Sequence, residues 1–394
     1  MHRALHPAGR LLLFVCAFVA GLSQGSGYSS QLNPAACMWS DPALQGHERQ
    51  IAQAIWKANV SRSTLVVHPS RAYSGVWLRD SFWTITAIGD VRLSAGVLRH
   101  FTRHQNRLGQ LPTQFTTFLD DPVYAPDEST LLYLIWAAWQ VQHGGPRPPT
   151  SALRKALAYV LSQARGGAYQ SPKGGYVSWL DSFRLPHADT LAFNQGLYAV
   201  ALESAVALHL PVSASTVKAA GAGYRALVDR RGGYLQLSRR LNYHDISGLT
   251  GEFLSLWLFK RPLLSDEVVR RTIETQPQFR GGFQVVVLGN GTYLSPQAFT
   301  VEIPPGDYQN GGSWLLYDYL SLAVGQLHHV PGMVERMRER LVAEFAGGLT
   351  FHEYLNTNPI SPIFGRDAAI RDGFSWSTFV LRVDALLRQR CSGG

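Results

Sequence analysis

The sequence is poor in several features that mark other classes of protein. Its 394 residues include only three cysteines and four methionines, and charged residues make up 16% of the chain. There is no Walker loop, no GxGxxG fingerprint after a strand, no Cys/His quartet with zinc spacing and no convincing GxSxG elbow. These absences argue against a nucleotide-binding enzyme, a zinc protein and an α/β-hydrolase, and we expect no cofactor.

The chain also lacks blocks of like charge. Its formal net charge is +9, or +7 without Arg3 and Arg10, and the basic residues are scattered along the chain. Nucleic-acid binding proteins instead concentrate Lys and Arg on one face or along one helix. We therefore expect no nucleic-acid partner, and nothing in the sequence indicates the oligomeric state.

The N-terminus resembles an export signal. Arg3 and Arg10 precede an apolar run from Leu11 to Leu22, and small residues such as Ser23 and Gly25 follow it. A run of about a dozen apolar residues is too short for a permanent transmembrane helix. We predict that residues 1–28 are a removed signal peptide, and that the mature protein is secreted or periplasmic without stable membrane insertion.

Two cysteines remain after this segment, near opposite ends of the mature chain. In an oxidising compartment Cys37 and Cys391 could form one disulfide, which the chain-entropy model values at about 4 to 5 kcal/mol. Two free buried thiols are the alternative. We predict the disulfide because the protein is expected to be exported.

The hydrophobic residues, 46% of the chain, follow an alternating helical pattern. The segment from Asp127 to Val141 is apolar all round after its first turn, which indicates a helix buried on every side. The next segment, Ser151 to Arg165, is amphipathic, with Arg154 and Lys155 on its polar face. Such alternation continues through about twelve helices.

Six pairs of amphipathic and buried helices predict an all-α fold, an (α/α)6 barrel with six outer and six inner helices. We assign residues 29–394 to this single domain, with short strands in the loops, for example around Gly281 to Leu288. A helical solenoid is the alternative, but the chain shows no fixed-period repeat. His328 and His329 lie between an inner and an outer helix, which predicts a solvated turn.

Polar and aromatic clusters precede the predicted inner helices. Because inner helices of such a barrel run parallel, these clusters should meet at one rim. Capping explains some of the Asp, Ser and Asn residues. It does not explain the tryptophans, whose rings can stack on a sugar while polar groups bind its hydroxyls. The rim candidates are Trp77, Arg79, Asp80, Asp127, Trp179, His187, His244, Gln309, Asn310, Gly311, Trp314 and Trp376.

Asp181 lies between Trp179 and Phe183, directly before a long apolar segment. Aromatic neighbours remove water from a carboxyl group, which raises its pKa and suits it to donate a proton near neutral pH. The alternative is that Asp181 only caps a turn while the two rings belong to the core.

Four motifs in order, WLRDSFW, YVSWLD, YQNGGSW and FHEYLN, resemble the six-hairpin glycosidases, which include glucoamylases, trehalases, processing glucosidases and the glucosidase part of glycogen-debranching enzymes. The resemblance implies that Asp181 is the general acid and Glu353 the general base. It implies that Trp77, Arg79 and Asp80 clamp the terminal sugar, and that Asn310, Gly311 and Trp314 form a wall of the same pocket.

The resemblance therefore implies an inverting hydrolase that acts on an α-linked glucoside, a short α-glucan or a disaccharide. Ser178 and Leu180 depart from the commoner motif, and the segment from His187 to Gln195 departs on the aglycone side, so the substrate preference stays open. A sugar epimerase, an unsaturated-uronide hydrolase and a non-catalytic carbohydrate-binding protein are the alternatives.

Overall fold

The computed structural model describes residues 42–116, 121–346, 348, 350–366 and 373–391. In this part of the chain there are twelve α-helices, which alternate between an outer and an inner layer. The outer helices are α1 Pro42–Asn59, α3 Val91–Arg103, α5 Thr150–Ser162, α7 Ala214–Arg225, α9 Asp266–Thr275 and α11 Met333–Phe345. The inner helices are α2 Leu78–Ile88, α4 Ser129–Gln142, α6 Ala192–Ala207, α8 Thr250–Phe259, α10 Leu315–Leu327 and α12 Val380–Cys391.

The inner helices form a closed ring. Each packs against the next, from α2 through α4, α6, α8 and α10 to α12, and α12 packs back against α2. Burial follows the two layers: nearly every residue of α6 is buried, whereas α9 buries only Val269, Thr272 and Ile273. The predicted alternation of buried and amphipathic helices is therefore confirmed, and the buried apolar side chains form one core cluster.

Close helix packing in the ring depends on glycine at one crossing. Gly196 in α6 and Gly251 in α8 face each other, and a Cβ atom added to Gly251 would lie 2.3 Å from the Cα of Gly196. Real Cβ atoms do not approach backbone atoms this closely. The two inner helices can therefore meet at this distance only because neither residue has a side chain.

The connections carry short strands, as predicted. Eleven two-residue strands form five antiparallel sheets in the described part of the chain. They are β1 Val60–Ser61, β2 Val66–Val67, β3 Val76–Trp77, β4 Gln114–Phe115, β5 Pro122–Val123, β6 Ala164–Arg165, β7 Ala168–Tyr169, β8 Tyr243–His244, β9 Gln278–Phe279, β10 Gly282–Phe283 and β11 Val287–Leu288. The sheet β3–β4–β5 holds Trp77 opposite Gln114, directly before α2.

The fifth inner helix begins later than its apolar pattern suggests. Its pattern starts at Gly311, but α10 begins at Leu315. Gly311 has a φ of +93°, which a helix does not permit, and Ser313 forms two backbone hydrogen bonds with Leu355 instead. The segment before α10 is thus an extended connection at the rim.

One expectation about a histidine is wrong. His328 is buried, not solvated: its Nε2 lies 2.9 Å from Oε1 of Glu252 and its Nδ1 lies 2.7 Å from Oδ1 of Asp266. Two carboxylates can hold a buried imidazolium, so this turn contains an ion network. His329 next to it is exposed, as expected for a turn.

Two predictions concern residues outside the described ranges. Residues 1–28, the expected signal peptide, lie there, and so do the side chains of Cys37 and Cys391. The signal peptide and the disulfide remain predictions. Among the helices that the structure does describe, none has both the length and the apolar character needed to cross a membrane.

Candidate active site

A cavity at the rim collects most of the residues expected there. It encloses about 360 Å³ of space, part of which is open to solvent. It is lined by Pro69, Tyr73, Trp77, Arg79, Asp80, Trp179, Asp181, Tyr308, Trp314, Glu353, Phe374 and Trp376. Both predicted catalytic carboxylates, Asp181 and Glu353, face this one cavity although 172 positions separate them along the chain (353 − 181).

Asp181 is held by the segment before α10. Nε2 of Gln309 donates to Oδ1 of Asp181 at 3.1 Å, and the hydroxyl of Tyr308 donates to the same oxygen at 3.4 Å. Burial raises the pKa of Asp181 above its ordinary value, although Arg79 and the Gln309 hydrogen bond act in the opposite direction. A carboxyl group with a raised pKa stays protonated at a higher pH, so it can act as a proton donor there.

Glu353 is held by the hydroxyl of Tyr73. The hydroxyl lies 3.1 Å from Oε1 and 2.9 Å from Oε2, so it bridges both carboxylate oxygens. Tyr73 itself packs edge-on against Trp77 and Phe374, which restricts the ring. The carboxylate of Glu353 is thereby oriented at the cavity wall, and it is almost fully buried.

Arg79 brings a positive charge to the cavity. Its Nη1 donates to Oε1 of Glu128 at 2.8 Å, and its Nε lies 4.0 Å from Oδ2 of Asp80. Its guanidinium also lies over the ring of Trp376, 5.3 Å from the centroid. Burial raises the pKa of Asp80 to about 7, with Arg79 opposing the rise. Arg79 and Asp80 thus offer a sugar hydroxyl one donor and one acceptor.

The cavity wall is aromatic. Trp314 packs against Trp179, Tyr308 and Trp376 with ring centroids 5.1, 5.0 and 5.8 Å apart. Indole and phenol rings can stack on the C–H face of a pyranose, and carboxylates and an arginine can bind its hydroxyls. In the described part of the chain, no group of three or more His, Cys, Asp or Glu side chains could hold a metal ion.

Six of the fourteen predicted site residues do not line the cavity. One of them, His244, is buried and its ring stacks on that of Tyr234. Gln309 lies behind Asp181; its Nε2 also donates to the Trp179 carbonyl at 2.7 Å, and its Oε1 accepts from the Ser182 amide at 3.0 Å. Asn310 bonds the loop through the carbonyls of Leu294 and Ile303. Gln309 therefore holds the segment around Asp181, whereas Asn310 holds the loop between Leu294 and Ile303.

The other three residues have separate positions. Gly311 provides the left-handed turn before α10, where an added Cβ would meet the ring of Tyr293 at 2.5 Å. Asp127 accepts hydrogen bonds from the amide and hydroxyl of Ser129, as expected of a helix cap. His187 is exposed. Their roles in substrate binding remain predictions.

Three residues at the site were not among the predicted site residues. Tyr73 and Tyr308 hold the two carboxylates, and Glu128 binds Arg79. Each lies within or beside a motif: Tyr308 belongs to YQNGGSW, Glu128 follows Asp127, and Tyr73 lies four positions before Trp77 of the WLRD element. No local pattern distinguishes them, because their partners are distant along the chain.

Several solved structures with a similar fold are described as glycosidases. One described as a wild-type glycosidase is 17% identical over 89% of this chain and 99% of its own, with a TM-score of 0.61. A variant described as a glycosidase in complex with glucose is also 17% identical over 89% of this chain and 99% of its own, with a TM-score of 0.60. The fold is theirs. The expected (α/α)6 barrel and the resemblance to six-hairpin glycosidases are confirmed at the level of the fold.

A third similar structure is a GH63 mannosylglycerate hydrolase from Thermus thermophilus in complex with glucose. It is 14% identical over 86% of this chain and 99% of its own, with a TM-score of 0.63. No protein-family model matches the sequence, and no curated protein sequence matches it. The similarity is therefore one of three-dimensional structure, spread over nearly the whole barrel.

Proposed function

We propose that this protein is an inverting glycoside hydrolase that acts on an α-linked glucoside, with Asp181 as general acid and Glu353 as general base. The observation that carries the proposal is the cavity that both carboxylates face, together with the ring of tryptophans around it. The glycosidase fold, and the glucose bound to two of the similar proteins, support the same substrate class.

In this mechanism Asp181 donates a proton to the glycosidic oxygen, and Glu353 removes a proton from the attacking water. The raised pKa of Asp181 suits the donor, and the Tyr73 hydroxyl orients the acceptor. Inversion requires the two carboxyl groups to stand about 6.5 to 9.5 Å apart, which leaves room for the water. Arg79 and Asp80 hold the terminal sugar in place.

An unsaturated-uronide hydrolase has less support. Such enzymes need cations that bind a sugar carboxylate. Among the described residues that line the cavity, Arg79 is the only cation, and Glu128 already binds it. We also propose that the protein is exported; this rests on residues 1–28 of the sequence alone.

The test is hydrolysis of a panel of α-linked disaccharides and α-glucosyl and α-mannosyl conjugates, including those of glycerate, followed by proton NMR. We expect glucose to be released as the β-anomer first. Asp181→Asn and Glu353→Gln should each lower the rate by about 10² to 10⁴-fold while thermal unfolding stays close to that of the wild type. Initial appearance of the α-anomer would contradict the assigned roles, and glucose binding without hydrolysis of any substrate would favour a binding protein.

A further inference from the structure

A buried ion network lies behind the wall that carries Glu353. Nε of Arg340 lies 2.7 Å from Oδ2 of Asp318, and Nη1 of Arg340 lies 2.7 Å from Oε2 of Glu344. Oε1 of Glu344 accepts from the backbone amide of His352 at 2.5 Å and lies 3.1 Å from its Nδ1. The side chains of Asp318, Arg340 and Glu344 have no exposed surface. The network therefore links α10 and α11 to the residue directly before Glu353.

The same network also reaches the chain after Glu353. The Ser313 hydroxyl donates to Oδ2 of Asp318 at 2.7 Å, and Nη2 of Arg340 donates to the Ser313 carbonyl at 3.5 Å. Ser313 and Leu355 exchange two backbone hydrogen bonds of 2.9 and 2.8 Å. His352 and Leu355 flank Glu353, so both sides of this short segment are tied to Arg340.

Stability alone is a poor explanation for such a network. Removing charges from water costs several kcal/mol per ion, and well-packed apolar residues of similar volume are often at least as stabilising. Burial acts to raise the pKa of Glu344, but Arg340 and His352 outweigh it and lower that pKa to about 2. Glu344 is thus ionised at any working pH. The network instead fixes the positions of the segments that it joins, because each of its hydrogen bonds has a defined geometry.

We infer that Arg340 and Glu344 are positioning residues for the base: they hold the segment from His352 to Leu355 so that Glu353 keeps its place at the cavity wall. This inference rests on the proposed function, because it assigns a role relative to the general base. Neither residue lines the cavity. Their effect on the reaction is exerted through His352 and the backbone.

The main test is Glu344→Gln, which keeps the side-chain volume and removes the charge. We expect kcat to fall by about tenfold to a hundredfold, because a displacement of about 1 Å can cost that much. KM and glucose affinity should change less than about threefold, since the cavity residues remain. The matched control is Glu274→Gln, which breaks the exposed i,i+4 pair of Glu274 with Arg270 on outer helix α9 and should leave kcat unchanged.

A second pair of variants addresses the possibility that Glu344→Gln does not fold. His352→Ala removes the ring that contacts Glu344, whereas His352→Asn places an amide N–H near the position of Nδ1. We expect kcat to fall in the first and to recover in part in the second. Wild-type kcat in folded Glu344→Gln, or equal losses in both His352 variants, would overturn the inference.

A structural readout separates this inference from the proposed function. If the wild type hydrolyses no substrate on the panel, the proposed function fails, but a crystal structure of folded Glu344→Gln, or of His352→Ala, still tests the geometry. We expect the Glu353 carboxylate to move away from the Tyr73 hydroxyl in that structure. An unmoved carboxylate would overturn the positioning role whatever the activity.

Discussion

The ion pair of Arg79 and Glu128 provides a strong test of the site, because both partners are buried. The Arg79 side chain is 11% exposed and that of Glu128 has no exposed surface, with 2.8 Å between Nη1 and Oε1. At an effective dielectric constant of about 20, attraction at this distance is about 6 kcal/mol. Desolvation of the two charges offsets much of it. Arg79→Ala, however, leaves Glu128 buried without its cation, which costs about 3 to 5 kcal/mol.

The assay is denaturant unfolding combined with calorimetric titration of glucose. Arg79→Ala should lower the free energy of unfolding by that amount and abolish measurable glucose binding. Adding Glu128→Gln should recover part of the stability, because the uncompensated carboxylate is gone, but it should not recover glucose binding. The control is Arg62→Ala, which breaks a 3.2 Å pair with Asp90 in which Arg62 is 66% exposed. That change should cost no more than about 1 kcal/mol.

Three outcomes would contradict this reasoning. If Arg79→Ala destabilised the protein no more than Arg62→Ala, the pair would not behave as a buried one. If Glu128→Gln gave no relief in the Arg79→Ala background, Glu128 would not be the group left uncompensated. Retained glucose binding in Arg79→Ala would show that Arg79 has only a structural role, through its ion pair with Glu128.

Two further predictions concern the barrel itself. Gly251→Ala should destabilise the fold by about 1 to 3 kcal/mol, since its Cβ would lie 2.3 Å from the backbone of Gly196; by contrast, Gly46→Ala in α1 meets nothing within 4 Å and should stabilise by up to about 1 kcal/mol. Denaturant midpoints measure both, and equal effects would show that α6 and α8 do not meet there. Burial lowers the pKa of His328, but its two carboxylate partners outweigh burial and raise it above the ordinary value. The charged histidine therefore adds stability below its unfolded pKa of about 6.5, and this contribution is lost as pH rises through the higher folded value. The free energy of unfolding should therefore fall as pH rises above about 6.5, and His328→Gln should make this fall smaller. An unchanged pH dependence in the variant would contradict the charged state of His328.

Much of the fold follows from patterns within single segments. The run from Asp127 to Val141 is apolar all round, and α4 is buried on every side between its neighbours in the ring. Ser265 to Thr275 has one apolar stripe, and α9 is an outer helix. Periodicity is a local property, so it indicates which helices must be covered and which must face water. The alternation of the two kinds then restricts the architecture to very few arrangements.

The placement of catalytic candidates was also predictable in part. Asp181, Glu353, Arg79 and the tryptophans were expected at one rim because each precedes an inner helix, and the cavity contains them. The same rule placed Asp127 among the site residues, but Asp127 bonds the amide of Ser129 at the start of α4, and Glu128 beside it binds Arg79. Both carboxylates directly precede α4, so their spacing along the chain does not distinguish them. Which of them faces Arg79 depends on how α2 and α4 pack.

The sequence by itself determined the number of helices, their two layers and the rim at which the polar and aromatic motifs meet, because these depend on spacing along one segment. Only the tertiary structure decided which groups hold the carboxylates. Gln309 bonds Asp181 across 128 positions of the chain, and Tyr73 bonds Glu353 across 280. A hydrogen bond requires heavy atoms within about 3 Å of each other. At such separations along the chain, closure of the helical ring sets that distance, and no single segment contains the information.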